Sequence, residues 1–469
     1  MRKINNEVLN ENYEEFEQID KETLEYNQQR KKYILNGILS IIACIIHDFG
    51  YFSIYSQKNF MVYLISYRHH FDQNLTFSHG YFLFPILNLI TNISIPLGGV
   101  LEDKIGPRKT IIVSTSILCL SFSFLYFSKN IIIDYFLMGI NGFAIALGIN
   151  ITRKNACAYF MNKKAFIYGL THLIAALLCA LLNLFFEKVI LNPLSESPKI
   201  ENIYYGENIF LNYNKLIIFE LAFLISTTLL TLLLFVKNNQ KETKKYGFGE
   251  KLTEKENKML SNEKNAISKK VKLKKALYNK RTVRMYLLLI TFFPTINLIL
   301  NTWRPIGIYY QRNTHYLQLT TVFYSISSSV ASVVMALIGD KIEFKKIFIF
   351  FSFLLTIISF FFPFTFNNDF LFILEILAIS FIFNGFNIVV YPHVMKVYGI
   401  EIYTEISGIL GTAFGIGEIV CVLFAFYLEN YFSGSKNYAY HLMYFISGCL
   451  NLISMILGFF ENDDKFKYD

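Results

Sequence analysis

Long apolar stretches alternate along the chain with short polar segments. The hydrocarbon core of a bilayer is about 30 Å thick, and roughly 20 apolar residues of helix cross it. Twelve stretches reach that length, at approximately 34–65, 78–101, 110–128, 131–152, 165–186, 214–236, 284–310, 317–339, 346–365, 369–392, 403–428 and 438–460. The pattern therefore predicts an all-α integral membrane protein with twelve transmembrane helices.

One extended polar segment, 237–283, separates the first six stretches from the last six. The predicted organisation is a tail at 1–32, a six-helix bundle at 33–236, a basic linker at 237–283, a second six-helix bundle at 284–460 and a tail at 461–469. Within the linker, 269–277 mixes lysines with apolar residues. Two interpretations stay open for it, an amphipathic helix on an anionic membrane surface and a solvated tether, and the tether is favoured.

Composition and charge agree with a membrane protein. Hydrophobic residues make up 54% of the 469 residues and charged residues 17%, whereas soluble domains carry about 25% charged residues. The net charge of +9 has a topological explanation, so no nucleic-acid partner is predicted; the lipid bilayer is the expected surrounding. No secretory signal peptide is apparent in 1–32.

The orientation follows from the loops that hold lysine and arginine, since such loops stay in the cytoplasm. The basic set contains the linker and Lys104, Arg108, Lys109, Arg153, Lys154, Lys163, Lys164, Lys341, Lys345 and Lys346. The opposite loops hold single charges such as Arg68, Lys129, Arg312 and Lys436. Both termini are therefore predicted to be cytoplasmic, in the plasma membrane or an organelle membrane.

A short basic loop between spans two and three has a weaker copy between spans eight and nine. The first contains Gly99, Leu101, Asp103, Lys104, Gly106, Arg108 and Lys109, and the second contains Asp340 and Lys341. An Asp at a helix end can pair with a basic residue of a neighbouring helix, and glycines let helices approach closely. These residues, except Leu101, are predicted to be gating elements.

The first loop resembles the corresponding loop of the major facilitator superfamily. The segments 103–108 and 156–169, together with 301–307, are similar to the branch of monocarboxylate transporters and oxalate/formate antiporters in its protist form. Two positions depart from that branch, because Ser332 and Phe414 stand where it commonly has Arg and Lys. The resemblance implies two six-helix bundles, each of inverted three-helix repeats, that rock about a site near the bilayer midplane.

The resemblance further implies a secondary active transporter of a small monocarboxylate such as pyruvate or lactate, by proton symport or exchange. Two alternatives stay open. One is a carrier of another small solute, neutral or drug-like. The other is a membrane receptor or accessory subunit that keeps the fold without transport. The sequence offers no catalytic constellation, metal cluster or phosphate-binding loop, so neither an enzyme nor a cofactor is predicted.

Ionisable residues inside the spans are the first candidates for a site, because a charge at the bilayer centre costs about 2.5–3.5 kcal/mol on insertion scales. Lys58 and Arg304 are predicted to bind substrate, and Lys58, Asp48 and Glu418 are candidates for proton coupling. The alternatives are a snorkelling Lys58, an interfacial anchor at Arg304, and structural hydrogen bonds or ion pairs at the two acids. Pro305, beside Arg304, suggests a break in span seven.

A polar stripe in span ten supplies the remaining candidates. Asn384, Asn387 and Tyr391 differ by three and four residues, which places them on one helix face. Such a stripe lines either a cavity or a helix–helix contact. The three residues are predicted to bind substrate.

Overall fold

The chain is helical throughout the part that can be described. The computed structural model describes residues 2–56, 61–75, 77–160, 163–186, 207–238, 242, 269–339, 341–399, 402–432 and 436–461, and these contain helices and turns but no strand. Twelve helices within them are long and apolar enough to cross a membrane. The prediction of an all-α protein with twelve spans is confirmed.

The twelve long helices are numbered in chain order. They are α1 Arg2–Ser56, α2 Leu83–Ile105, α3 Pro107–Phe127, α4 Ile131–Tyr159, α5 Lys164–Phe185, α6 Glu207–Leu234, α7 Lys280–Tyr309, α8 Thr314–Gly339, α9 Phe344–Phe361, α10 Asp369–Tyr398, α11 Tyr403–Tyr431 and α12 Lys436–Gly458. Among the residues described between them are two further α-helices, Met61–His69 and Lys269–Leu277, and two 3₁₀ segments, Phe77–Phe82 and Phe362–Thr365.

Several predicted boundaries are wrong. Helix α1 begins at Arg2 and ends at Ser56, so the first span stops short of the predicted residue 65. Helix α4 continues to Tyr159, past the predicted end at 152. Helix α7 runs unbroken to Tyr309, so the predicted break at Pro305 does not occur. A membrane helix tolerates the loss of the one backbone hydrogen bond that a proline removes.

Each half of the chain forms its own bundle. In the first half, α2 packs against α4, α3 against α4, and α1 against α5 and α6. In the second half, α8 packs against α10 and α9 against α12, while α7 contacts α12. Phenylalanine rings fill the second core: Phe292 lies 4.7 Å from Phe386 and 5.1 Å from Phe348 between ring centroids, in the tilted geometries that aromatic pairs favour.

Two arginines assigned from sequence to the outer loops lie between long helices, with their side chains buried against protein groups. The Nε of Arg68 donates to Asp134 Oδ2 at 2.6 Å, and its other nitrogens donate to Asp134 Oδ1 and to the carbonyls of Leu125 and Ser128. Arg312 pairs with Asp369 at 2.8 Å while its own side chain is 4% exposed. The carboxylates and carbonyls that face the two guanidinium groups replace the water lost on burial.

The short helix Lys269–Leu277 rests on the second bundle. Ala276 is buried, and Leu273 and Leu277 pack against the second core. The carbonyl of Ala276 accepts a hydrogen bond of 2.6 Å from the hydroxyl of Thr282 on α7. The apolar side of this helix therefore contacts protein, while Lys274 and Lys275 are exposed.

The two bundles meet along two helix pairs, α2 with α11 and α5 with α8. Glycines bring the backbones close there. A Cβ added at Gly415 on α11 would lie 2.6 Å from the Cα of Leu89 on α2, and one added at Gly169 on α5 would lie 2.8 Å from the carbonyl of Ser332 on α8. Real Cβ atoms do not approach so closely, so both positions require glycine for this packing.

Candidate functional site

A cavity of about 400 Å³ lies between the two bundles. Its wall is contributed by α1, α2, α4 and α5 on one side and by α7, α8, α10 and α11 on the other. Seven asparagines line it: Asn88, Asn92, Asn183, Asn297, Asn301, Asn384 and Asn387. Nine large aromatic side chains share the wall: Phe52, Phe84, Tyr168, Phe293, Trp303, Tyr324, Phe383, Tyr391 and Phe414. Amides both donate and accept, so the lining suits a small polar solute.

Polar residues of α7 reach the cavity because they share one helix face. Asn297, Asn301 and Arg304 follow one another at spacings of four and three residues, and all three line the cavity. Arg304 is thus placed in the cavity wall, beside Trp303. Its role as a substrate ligand stays a prediction.

The predicted stripe of α10 also lies in the wall. Asn384, Asn387 and Tyr391 all line the cavity. The Nδ2 of Asn384 donates to the carbonyl of Ser380 at 3.1 Å, and the ring of Tyr391 lies 5.8 Å from that of Tyr168 on α5. The stripe faces the other bundle, as its helical spacing predicts, whereas its binding role stays a prediction.

Asp48 and Arg153 form a buried ion pair at the cavity wall. Nε of Arg153 on α4 lies 3.0 Å from Oδ1 and 2.9 Å from Oδ2 of Asp48 on α1. Asp48 is fully buried and Arg153 is 7% exposed. A terminal nitrogen of Arg153 also donates to the hydroxyl of Tyr168 at 3.2 Å, and the guanidinium lies over the rings of Phe52 and Tyr168.

The assignment of Arg153 to a cytoplasmic loop is therefore wrong. Helix α4 continues past its predicted end. The side chain of Arg153 therefore lies inside the bundle, where the carboxylate of Asp48 offsets its charge. Arg153 lines the cavity, whereas the next residue, Lys154, pairs with Glu102 of α2 at 3.2 Å near the surface.

Glu418 on α11 connects the two bundles. It is fully buried and lines the cavity. Its Oε2 accepts a hydrogen bond of 2.5 Å from the Nδ2 of Asn88 on α2, and its Oε1 lies 3.4 Å from the Nδ2 of Asn301 on α7. These two amides tie the carboxyl group to one helix of each bundle.

His172 on α5 makes a second contact between the bundles. Its Nδ1 lies 3.1 Å from the hydroxyl of Ser332 on α8, and its ring lies 4.9 Å from that of Phe52. Ser332 stands where the resemblance leads one to expect an arginine, and here it holds a histidine that lines the cavity. Phe414, at the other departure, contributes an aromatic face to the wall.

The loop motif lies at one end of the α2–α11 contact. Gly106 has a φ of 86° and ends α2, a conformation that glycine adopts without strain. Arg108 donates to the carbonyl of Phe235 after α6 at 2.7 Å, and a Cβ at Gly99 would lie 3.1 Å from Thr404 of α11. Asp103 is exposed, and so are Lys104, Lys109 and Lys341.

Two predicted residues, Lys58 and Asp340, lie outside the described residues. Five lining asparagines were not predicted as site residues: Asn88 and Asn92 on α2, Asn183 on α5, and Asn297 and Asn301 on α7. The spacing rule that found the α10 stripe also fits Asn297, Asn301 and Arg304. Within the described part of the chain, no group of three or more His, Cys, Asp or Glu side chains is arranged to hold a metal ion.

Comparison with solved structures identifies transporters of the same fold. The chain is similar to the proton:xylose symporter XylE bound to 6-bromo-6-deoxy-D-glucose, with a TM-score of 0.65 and 12% identity over 90% of this chain and 94% of that one. It is also similar to the human organic anion transporter MFSD10, with a TM-score of 0.63 and 10% identity over 91% and 99%.

A third relative is the transporter FucP in the outward conformation, with a TM-score of 0.60 and 13% identity over 91% of this chain and 99% of that one. At such identities these likenesses concern the fold alone. A comparison with curated proteins finds no match. The sequence profile of the Major Facilitator Superfamily matches residues 8–182 and 308–468, which is well over half of the chain. The chain is an integral, multi-pass membrane protein with a secondary-transporter fold, and it belongs to the major facilitator superfamily.

Proposed function

We propose that this transporter carries a small monocarboxylate together with a proton, by alternating access between its two bundles. The observation that carries the proposal is the buried pair of Asp48 and Arg153, of which Arg153 lines the central cavity. In a buried ion pair, a proton or ligand that binds to one partner leaves the charge of the other partner uncompensated, so the two binding events are linked.

Proton binding and anion binding are linked through this pair. When Asp48 is ionised, its carboxylate accepts the hydrogen bond that Nε of Arg153 donates. With Asp48 protonated, the guanidinium needs another anion, because an uncompensated buried charge is costly. A substrate carboxylate in the adjoining cavity meets that need. One proton and one monocarboxylate then enter together, so the loaded site keeps the net charge of the empty one.

Arg304 supplies a second cation for an anionic solute. It lines the same cavity from α7, and a guanidinium binds a carboxylate through two parallel hydrogen bonds. Asn384, Asn387 and Tyr391 would orient the remaining polar groups of the substrate from α10. In this proposal Arg304 and the α10 stripe bind, while Asp48 couples the proton.

The second candidate is a neutral, hydroxyl-bearing solute. The seven asparagines favour it, since amides satisfy hydroxyl groups in both directions. In that case the ion pair of Asp48 and Arg153 would be structural. A non-transporting receptor, or a subunit that assists another membrane protein, is the remaining alternative.

Uptake into proteoliposomes tests the proposal. The purified protein should accumulate labelled pyruvate or lactate in the vesicle lumen when the lumen is made alkaline relative to the outside, and an unlabelled monocarboxylate should compete. Arg304→Gln should raise the apparent KM at least tenfold, because a charge-assisted hydrogen bond contributes about 1.5–3 kcal/mol. Uptake of glycerol or a hexose without any carboxylate would favour the second candidate, and no flux of any solute would favour the receptor.

A further inference from the structure

One part of the cavity wall is built from phenylalanine rings of the second bundle. Phe293 on α7, Phe383 on α10 and Phe414 on α11 all line the cavity. The ring of Phe414 lies 4.9 Å from that of Phe293 and 5.9 Å from that of Phe383 between centroids. Phe293 also packs 5.7 Å from Phe386, which is fully buried in the second core. The three lining rings therefore form one continuous surface, the aromatic face, which the core holds in place.

The aromatic face is only partly covered by protein. Phe383 and Phe414 are partly exposed, whereas Phe386 behind them is enclosed. Removing apolar surface from water is favourable, so a solute with an apolar part gains affinity by covering these rings. The aromatic face is therefore suited to an apolar part of the bound solute.

The basic part of the wall lies apart from the aromatic face. Along α10, Phe383 is followed by Asn387 and Tyr391 at spacings of four residues, and all three line the cavity. The ring of Tyr391 lies 5.8 Å from that of Tyr168, whose hydroxyl accepts a hydrogen bond from Arg153 of the first bundle. Eight residues advance an α-helix by about 12 Å. The aromatic face and the neighbours of Arg153 thus lie about two helical turns apart along α10, with an amide between them.

The cavity is large for a three-carbon acid. Its volume is about 400 Å³, and pockets of roughly 300–1,000 Å³ enclose ligands of drug size. At about 30 Å³ for each water-sized group, the six non-hydrogen atoms of lactate take up about 180 Å³, which is less than half of the cavity. The eleven non-hydrogen atoms of 3-phenylpropionate take up about 330 Å³ on the same scale and still fit. A three-carbon acid would therefore leave the aromatic face in contact with water.

We infer that the carboxylate substrate carries an aryl group, so that the transporter takes a monocarboxylate of the arylalkanoate class, about the size of 3-phenylpropionate. The inference rests on the proposed function, since it keeps the carboxylate at Arg153 and adds a ring against the aromatic face. Aromatic rings prefer offset-stacked or edge-to-face packing, and Phe414 already makes one contact of each kind. Because Arg153 belongs to the first bundle and the aromatic face to the second, one aryl acid contacts both bundles at once.

Binding and uptake by the full-length protein test this inference. The probes are 3-phenylpropionate, propionate and 3-phenylpropanol, which separate the contribution of the ring from that of the carboxylate. 3-Phenylpropionate is expected to bind with an apparent Kd about 10- to 100-fold below that of propionate, the range that corresponds to burial of one large apolar group. The fluorescence of Trp303, the single tryptophan of the chain and part of the cavity wall, reports binding in detergent. Accumulation in proteoliposomes above that in protein-free vesicles reports transport.

Substitutions of single rings assign that preference to the aromatic face. Phe414→Leu keeps an apolar side chain but removes the flat ring, and it should lower the preference for 3-phenylpropionate about 2- to 10-fold, the range that corresponds to one aromatic contact. Phe383→Leu should have the same effect, and it replaces Phe414→Leu if that variant fails to fold. Phe424→Leu, on the same helix as Phe414 but outside the cavity wall, is the matched control and should keep the wild-type preference.

Three outcomes overturn the inference, and they differ in what they leave standing. Equal affinity for 3-phenylpropionate and propionate, or an unchanged preference in both Phe414→Leu and Phe383→Leu, removes the aryl group but keeps the carboxylate carrier. Equal affinity for 3-phenylpropionate and 3-phenylpropanol removes the carboxylate, and the proposed function with it. Absence of binding and uptake for all three probes removes both the inference and the proposed function.

Discussion

The energetic importance of the pair formed by Asp48 and Arg153 can be measured with Asp48→Asn. This change keeps the shape of the side chain and one of its two oxygens but removes the charge that Arg153 contacts at 2.9 and 3.0 Å. The arginine keeps the Tyr168 hydroxyl and two aromatic rings as neighbours, and none of these is an anion. The variant therefore leaves a buried guanidinium without compensation.

The expected loss follows from the burial of the pair. Removing one partner of a buried ion pair costs about 3–5 kcal/mol. At about 2–4 °C of melting temperature per kcal/mol for a unit of 150–250 residues, the purified protein in detergent should melt about 6–20 °C lower. The double variant Asp48→Asn/Arg153→Gln should recover much of that loss, since no charge is then left unpaired.

The matched control for this prediction is Lys154→Gln, one residue further along α4. Lys154 pairs with Glu102 at a partly exposed site, where the side chains are 27% and 17% exposed, and such pairs contribute about 1 kcal/mol or less. A control that lowers the melting temperature as much as Asp48→Asn would make the effect unspecific. Additive losses in the double variant would show that the two residues are not coupled, and the proton site proposed at Asp48 would lose its basis.

Four further predictions concern packing, stability, gating and topology. Gly98→Ala should lower the melting temperature, because the new Cβ would lie 2.7 Å from the carbonyl of Ala146 and overpacking costs about 1–3 kcal/mol. Gly139→Ala should leave the melting temperature unchanged, because the nearest atoms to its Cβ lie at 3.8 Å. Arg68→Gln should destabilise by about 3–5 kcal/mol, as measured by thermal unfolding, and an unchanged melting temperature would contradict the burial of its ion pair. Asp103→Asn should slow transport without reducing folded protein in the membrane, and wild-type flux would remove its gating role. Epitope tags at both ends should be stained only after permeabilisation, and surface staining of either would refute the predicted orientation.

The number and course of the helices could be predicted from the sequence because the bilayer imposes a length on every span. The face of a helix could be predicted as well, since Asn384, Asn387 and Tyr391 all line the cavity. Helix ends were less predictable. Helix α4 ends at Tyr159 and contains Arg153. Hydropathy alone assigns such a basic residue to a loop, so the predicted helix ended too early.

The partners within the site could not be predicted, because they are tertiary. Asp48 and Arg153 are 105 residues apart in the chain, and Asn88 and Glu418 are 330 apart. The sequence marked Glu418 as a candidate for proton coupling, with a structural hydrogen bond or ion pair as the alternative. The structure gives its carboxyl two amides from two other helices, a solution that no local pattern signals.

The distribution of ion pairs has a mechanical consequence. Six ion pairs have both side chains in the described part of the chain, and each joins two residues of the same half: Arg68–Asp134, Asp48–Arg153, Glu102–Lys154, Arg281–Glu461, Arg312–Asp369 and Glu343–Lys346. Between the halves, Gly169 and Gly415 allow close backbone approach. Glu418 accepts a hydrogen bond from Asn88 there, and His172 contacts the hydroxyl of Ser332.

Separating the halves therefore breaks no ion pair of this set, whereas bending either half would break several. From this distribution of ion pairs we expect each bundle to move as a unit and the contacts between the bundles to be the part that rearranges. These are van der Waals contacts and single hydrogen bonds, which water or a bound solute can replace at little cost. Such contacts permit two conformations of similar free energy. A small difference in the affinity of a solute and a proton for these conformations is then enough to shift the equilibrium between them.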